Sequence, residues 1–260
     1  GAIVTKVESP DGDTGRSRHV RPQPPPPSPH FHRGPAQGPG VSGGATFENY
    51  NRGKRGVVLD LKTDAGMAAF RGLLADTDVF VTNVRRQSLE SLGIEYEQIH
   101  ADFPKLIYAH VTGWGRSDTS NTGTVEAENE AAFDIGSFYA RSGMAMALRL
   151  GPDTALSQWP GAMGDIVTSM SMAEGITAAL FQRERNGGQG QLVETSLLHS
   201  GVYTMSLSLT LAMLGQNSND AIGWIPTRKS YETRDGVWYQ MLGSGGSTRV
   251  RKSDRSFSAV

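Results

Sequence analysis

Asp165 lies in Pro160-Gly161-Ala162-Met163-Gly164-Asp165-Ile166-Val167, between a glycine-bearing turn and a long stretch of helical periodicity. A carboxylate at a helix start feels the positive end of the helix dipole, which favours its ionised form. Small neighbours let a bulky ligand approach it. This is one way to present a carboxylate nucleophile. Asp is also an ordinary helix N-cap, so the stretch by itself supports both readings.

Cations form the second candidate set. Asn51-Arg52-Gly53-Lys54-Arg55 leads into one predicted strand, and Asn83-Val84-Arg85-Arg86 follows another. Such groups serve as charge-assisted donors to a phosphorylated ligand such as a nucleotide or coenzyme A. They are equally the composition of a solvated surface. Other chemistries find little support. The six histidines have no metal-ligand spacing, and the absence of cysteine removes disulfides, thiolate metal sites and thiol nucleophiles. Ser196 and Ser200 flank His199 without a Gly-x-Ser-x-Gly elbow. Gly243-Ser244-Gly245-Gly246-Ser247 lacks the lysine and the strand-to-helix setting of a phosphate loop.

Composition is that of a globular protein with a real core: 37% hydrophobic, 20% charged, formal net charge −1. That balance gives no global field for nucleic acid or an anionic membrane. No apolar run is long enough to span a bilayer. These features, with the missing cysteines, lead us to expect a cytoplasmic protein. An organellar home, mitochondrial or peroxisomal, is compatible with a start at Gly1 inside a domain.

The positioning elements alternate. Ala2–Val4 and Lys6–Glu8 read as a short strand. Residues 22–40 hold eight of the thirteen prolines and form no core element; they read as an insertion or linker. Val57–Leu61, Asp78–Thr82 and Leu106–Val111 are predicted strands. Between them fall helices after Thr63 or Asp64, around Ser88–Gly93 and over Tyr96–Phe103. The helix opening at Asp165 is predicted to bury Ile166, Met170, Ala173, Ile176 and Leu180. It should stop at Gly187, with Arg183 and Arg185 in its last turn. A strand over Gln191–Thr195, a helix over Leu197–Leu214 and a hairpin around Arg234-Asp235-Gly236 complete the pattern. The fold class is α/β: a Rossmann-like parallel sheet in a large domain over 1–216, the start of a smaller α+β domain over 217–242, and a basic tail over 243–260. Ligands of such sheets bind beyond the carboxyl ends of the strands.

Read together, the segments resemble the family III CoA-transferases, the CaiB/BaiF group that includes formyl-CoA transferase. The landmarks are Lys6-Val7-Glu8 with Gly12-Asp13 and Arg16; Asn51-Arg52-Gly53-Lys54-Arg55 leading into Val58-Leu59-Asp60-Leu61-Lys62; and Val81-Thr82-Asn83 with Arg85. They continue through Gly113-Trp114-Gly115, Gly164-Asp165, Gly188-Gln189-Gly190-Gln191 and Tyr231-Glu232-Thr233-Arg234-Asp235-Gly236. The resemblance implies a homodimer interlinked like two rings, with coenzyme A entering as an acyl-CoA co-substrate, a small carboxylic acid as acceptor, and no metal. It implies that Asp165 is the nucleophile and that Lys54, Arg55, Asn83 and Arg85 hold the CoA nucleotide. Its implied chemistry passes through an aspartyl-CoA thioester.

Two alternatives remain at this point. The related α-methylacyl-CoA racemases use a histidine that opens a His-Asp-Ile pattern; here the segment reads Phe133-Asp134-Ile135, and its spacing to Gly143 is slightly long. Phe133 cannot accept a proton, which disfavours racemisation. The other alternative is a non-catalytic, truncated family member. The family's first strand and helix would precede Gly1, Arg86-Gln87 stands where a Pro-Gly turn is common and Ser91 where an arginine is common, and the family pattern is lost after Met241. Trp114, Phe138 and Tyr139 are candidates to line an acid pocket or to fill the core, the second being expected.

Overall fold

The computed structural model describes residues 1–13, 45–116, 129–149, 155–156, 161–216, 230–232 and 234–240. The proline-rich segment, the basic tail and the stretch just past residue 216 lie outside these residues.

Strand β1 (Thr5–Glu8) pairs in parallel with β2 (Arg55–Val58), Thr5 opposite Arg55 and Glu8 opposite Val58. Helix α1 (Ala45–Asn51) leads into β2. The second strand lies earlier than the predicted Val57–Leu61, because Asp60 turns the chain. Its carbonyl accepts from Thr63 N at 3.1 Å and its carboxylate from Lys62 N at 3.0 Å. Leu59 N still donates to Glu8 O at 2.9 Å, and Leu59 and Leu61 pack into the core. Thr63 then caps α2 (Asp64–Ala75), its hydroxyl accepting from Gly66 N at 3.1 Å.

Strand β3 (Val79–Thr82) follows, then α3 (Arg86–Leu92), closed by Gly93 at φ 70°. Helix α4 (Tyr96–Asp102) opens on a reciprocal box between Glu95 and Gln98. Strands β4 (Ile107–Thr112) and β5 (Leu192–Ser196) complete a parallel sheet in the order β3-β4-β5. Among the described residues the strands therefore form two parallel pieces rather than one sheet. They share a core. Phe70, Leu74, Leu89, Ile94, Ile99, Leu106 and Tyr108 are buried, and Val7, Leu59 and Leu61 pack against them from the β1–β2 side. Phe80 stands edge-on to Phe70 and to Tyr108, with centroids 5.4 and 5.1 Å apart. Each such pair adds about 0.5–1.5 kcal/mol beyond its burial.

A π-helix (Ile135–Ala140) and the short α5 (Met144–Ala147) precede the long α6 (Met163–Arg185). Phe138, Tyr139, Met144, Ala145 and Leu197 make a second core under them. The buried face of α6 is not the predicted stripe. Gly164, Thr168, Met172 and Ala179 are buried, whereas Ile166 and Met170 are exposed. Small residues set this face because they allow backbone approach: a Cβ on Gly175 would sit 2.8 Å from Val193 Cγ1 of β5. A pattern of large apolar residues cannot show such a contact.

The predicted Leu197–Leu214 helix is two helices, α7 (Leu197–Thr204) and α8 (Ser206–Met213), with Met205 between them. The Thr204 hydroxyl donates to Ser200 O at 2.7 Å, a back-bond that bends helices. The hairpin is present as β6 (Ser230–Glu232) antiparallel to β7 (Trp238–Gln240). No helix among the described residues is long and apolar enough to cross a membrane.

Candidate active site

Helix α6 runs antiparallel to the strands. Near its carboxyl end Arg183 donates to Lys105 O at 3.2 Å and to Asp78 Oδ1 at 2.8 Å, residues that immediately precede β4 and β3. Its first turn, with Asp165, therefore lies at the carboxyl ends of the sheet, where ligands of parallel sheets bind.

Close contacts gather the strand exits there. A Cβ on Gly164 would lie 2.7 Å from Phe138 Cβ and 2.8 Å from Asp134 Cβ, so only glycine lets α6 meet the π-helix. A Cβ on Gly113, just past β4, would collide with Ala132 Cβ. The Gly113 carbonyl accepts from Leu198 N at 3.1 Å at the start of α7. Past β3, Arg85 Nη1 donates to Asn129 O at 3.3 Å, which ties that exit to the segment entering the π-helix.

Asp165 is not the cap. It is the third residue of α6, and the cap position is Ala162, at φ 61° with no side-chain hydrogen bond. A left-handed alanine costs about 1–2 kcal/mol. Among the described residues Ala162 is the non-glycine residue with positive φ. The amides of Met163, Gly164 and Asp165 have no intrahelical acceptor by construction of a helix start. Asp165 is exposed and forms no side-chain hydrogen bond or ion pair among the described residues. Its carboxyl is nonetheless held above the usual carboxylate range, first by partial loss of hydration and then by the neighbouring Asp134 carboxylate. This reverses the expectation from the helix dipole. At an exposed site the dipole contributes about 0.3–1 kcal/mol, and desolvation with a like charge outweighs it.

Asp134 is the functional candidate that sequence reasoning passed over. It is 8% exposed, its Oδ1 accepts from Ile135 N at 2.8 Å, and its Oδ2 is buried without a partner. The available signal was the long spacing to Gly143. The π-helix, closed by Arg141 N to Gly136 O at 2.9 Å, lies within that interval. Phe133 beside it is 74% exposed.

The predicted cation set divides. Asn83 and Arg85 stand at the exit of β3, both exposed. Lys54 and Arg55 stand on the β1–β2 piece, also exposed. Lys54 Nζ donates to Asn51 Oδ1 at 3.3 Å, and no hydrogen bond or ion pair among the described residues connects either to Asp165. Phe138 and Tyr139 are core residues, as expected. Trp114 is half-buried, with its Nε1 unpartnered among the described residues. Behind this end a polar network braces the sheet. Arg116 lies 3.5 Å from Glu95 and 3.6 Å from Glu194, and His110 Nδ1 is 3.5 Å from Glu194. Tyr108 donates to Ile94 O at 2.9 Å, and burial, then Glu194, raise its hydroxyl above the usual tyrosine range. Among the described residues no three His, Asp or Glu side chains cluster as a metal site would require.

The fold and this corner define a parallel α/β protein with an unpaired carboxylate at the ligand-binding end of its sheet. The model of CoA-transferase family III matches residues 1–252, and the chain belongs to that family. It is 31% identical to the (R)-2-hydroxy-4-methylpentanoate CoA-transferase of Clostridioides difficile, over 75% of this chain and 47% of that one. It is 33% identical to the α-methylacyl-CoA racemase of Homo sapiens, over 71% of this chain and 47% of that one. The crystal structure of a CAIB/BAIF family protein from Brucella suis superposes with a TM-score of 0.70 at 29% identity, covering 92% of this chain and 58% of that one. The chain spans about half the length of the curated relatives it matches.

Proposed function

We propose that this chain transfers coenzyme A from an acyl-CoA donor to a small carboxylic acid through a thioester on Asp165. The observation that carries the reading is Asp165 itself: a carboxylate without a partner among the described residues, in the first turn of α6, at the carboxyl ends of β3, β4 and β5. An Asp165 oxygen attacks the thioester carbonyl of the donor, the C–S bond breaks, and CoA leaves as thiolate. The thiolate then attacks the aspartyl carbonyl of the mixed anhydride. The donor acid departs as a carboxylate, and Asp165 carries CoA. The acceptor carboxylate attacks that thioester, and the steps reverse on the new acid. Covalent catalysis divides one difficult exchange into easier ones. The free amides at the start of α6 are the donors available to a tetrahedral oxyanion.

In this reading Asn83, Arg85, Lys54 and Arg55 hold the nucleotide end of CoA, and a second copy of the chain closes the site in an interlocked homodimer. The large domain spans 1–216 and the smaller one begins over 217–242. The cytoplasm is the compartment we favour, with the mitochondrion or peroxisome as alternatives. Phe133 offers no base, so the racemase reaction is set aside.

Peptide mass spectrometry after incubation with a panel of acyl-CoAs tests the reading. A CoA-sized adduct on the Asp165 peptide, absent from Asp165→Ala, is the expected result; a folded chain that never carries it overturns the proposal. For the cations, Arg85→Ala should raise the acyl-CoA concentration needed for half-maximal labelling about tenfold, the scale of one charge-assisted contact. The same variant should leave labelling by an acyl-pantetheine, which lacks the nucleotide, unchanged.

A further inference from the structure

Gly164 seats α6 on Asp134, whose Cβ would touch any side chain placed there. The seat leaves Asp134 Oδ2 buried and unpartnered, an arrangement that costs stability unless something else requires it. Asp165 is the next residue along α6. We propose that Asp134 is a positioning residue of this site: its buried carboxylate, seated on Gly164 with one oxygen unpartnered, disfavours the free Asp165 carboxylate and so drives the exchange toward the CoA-esterified aspartate.

The inference rests on the transferase reading above and adds a direction to it. Forming the thioester consumes the Asp165 carboxylate and releases the donor acid as a carboxylate. One C–S bond breaks and one forms, and no proton is taken up. The negative charge that began on Asp165 leaves with the donor acid. In bulk water this swap of one carboxylate for another is close to balanced. Beside Asp134 it is not, because the left-hand side holds two like charges together and the right-hand side holds one. Other titratable groups on the neighbouring elements are Tyr139 in the π-helix, Arg141 after it, and His199 and Tyr203 on α7. None of them pairs with either carboxylate among the described residues, and Asp134 is the charge that acts on Asp165.

The test compares the wild-type chain with Asp134→Asn, which keeps the shape and removes the charge, and Asp134→Glu, which restores it. The ratio of CoA-bearing to free Asp165 is read by mass spectrometry at fixed acyl-CoA and acid, across a pH series. Asp134→Asn should lower the ratio and move the acidic limb of labelling to lower pH; Asp134→Glu should recover part of both. A structural role alone would move neither the limb nor the ratio. Wild-type labelling with both unchanged in Asp134→Asn overturns this inference and leaves the transferase reading intact. No wild-type labelling overturns the transferase reading, and this inference with it. Melting curves guard against misfolding: Asp134→Asn should gain on the wild type near neutral pH and not in acid. A loss at every pH would show a purely structural aspartate and overturn the proposal.

Discussion

At the carboxyl end of α6, Gly187 turns into the left-handed region at φ 70° and Gly188 N returns to Arg183 O at 2.9 Å. Arg183 and Arg185 complement the dipole, and Arg183 joins the helix to the strand entries. At the amino end the chain does the reverse. An alanine occupies the strained cap position without a side-chain cap, and among the described residues no cation pairs with the neighbouring carboxylates Asp134 and Asp165. One sequence supplies both ends, so the contrast teaches that an unsatisfied helix end is a stronger pointer to chemistry than a well-made one.

The contrast can be broken most severely at Asp165. Asp165→Ala should abolish CoA labelling while the chain still melts cooperatively; retained labelling elsewhere would move the site. Gly164→Val is next, since its Cβ would meet Phe138 and Asp134 inside contact distance. A loss of about 3 kcal/mol is expected from overpacking, measured by urea denaturation. At the other end Arg183→Ala should cost only about 1–2 kcal/mol, for one carbonyl contact and two exposed ion pairs, with labelling retained. A fall in labelling as large as that of Asp165→Ala would show the two ends to be coupled. Ala162→Gly should stabilise by about 0.5–1 kcal/mol, because glycine relieves φ 61° while loosening the unfolded chain. Asp165→Asn probes the smallest effect. The folded pKa of Asp165 is raised, so the folded state holds that proton more tightly than the unfolded one. Stability falls as pH rises from the ordinary carboxylate pKa through the raised one. The variant should therefore melt slightly above the wild type near neutral pH, and the gain should vanish in acid.

Much of this contrast was legible in the sequence. Gly187 and the two arginines announced the closed end, and Gly164-Asp165 the open one. The alternating strands, Thr63 as a cap and the hairpin around Asp235-Gly236 were also readable, because each is specified within a few residues. What escaped depends on partners distant in sequence. Gly164 and Gly175 face the core because side chains of the π-helix segment and β5 press against their backbone, so the large residues Ile166 and Met170 misled the periodicity. The sign of the Asp165 shift required Asp134, thirty-one residues earlier in the chain. Thr204 and Asp60 ended elements through hydrogen bonds that hydrophobic pattern does not record.

The π-helix has a genetic consequence. Its turn holds one residue more than an α-helical turn, so deleting a single codon between Ile135 and Ala140 would let it relax to ordinary helix with its hydrogen bonding kept. A five-residue π turn and a four-residue α turn cover nearly the same rotation, so the residues on either side would keep their faces. Asp134 would stay against Gly164, and the core on the other side of the turn would stay in place. A one-codon change could thus add or remove the extra residue while both carboxylates kept their places, without passing through an unfolded ancestor.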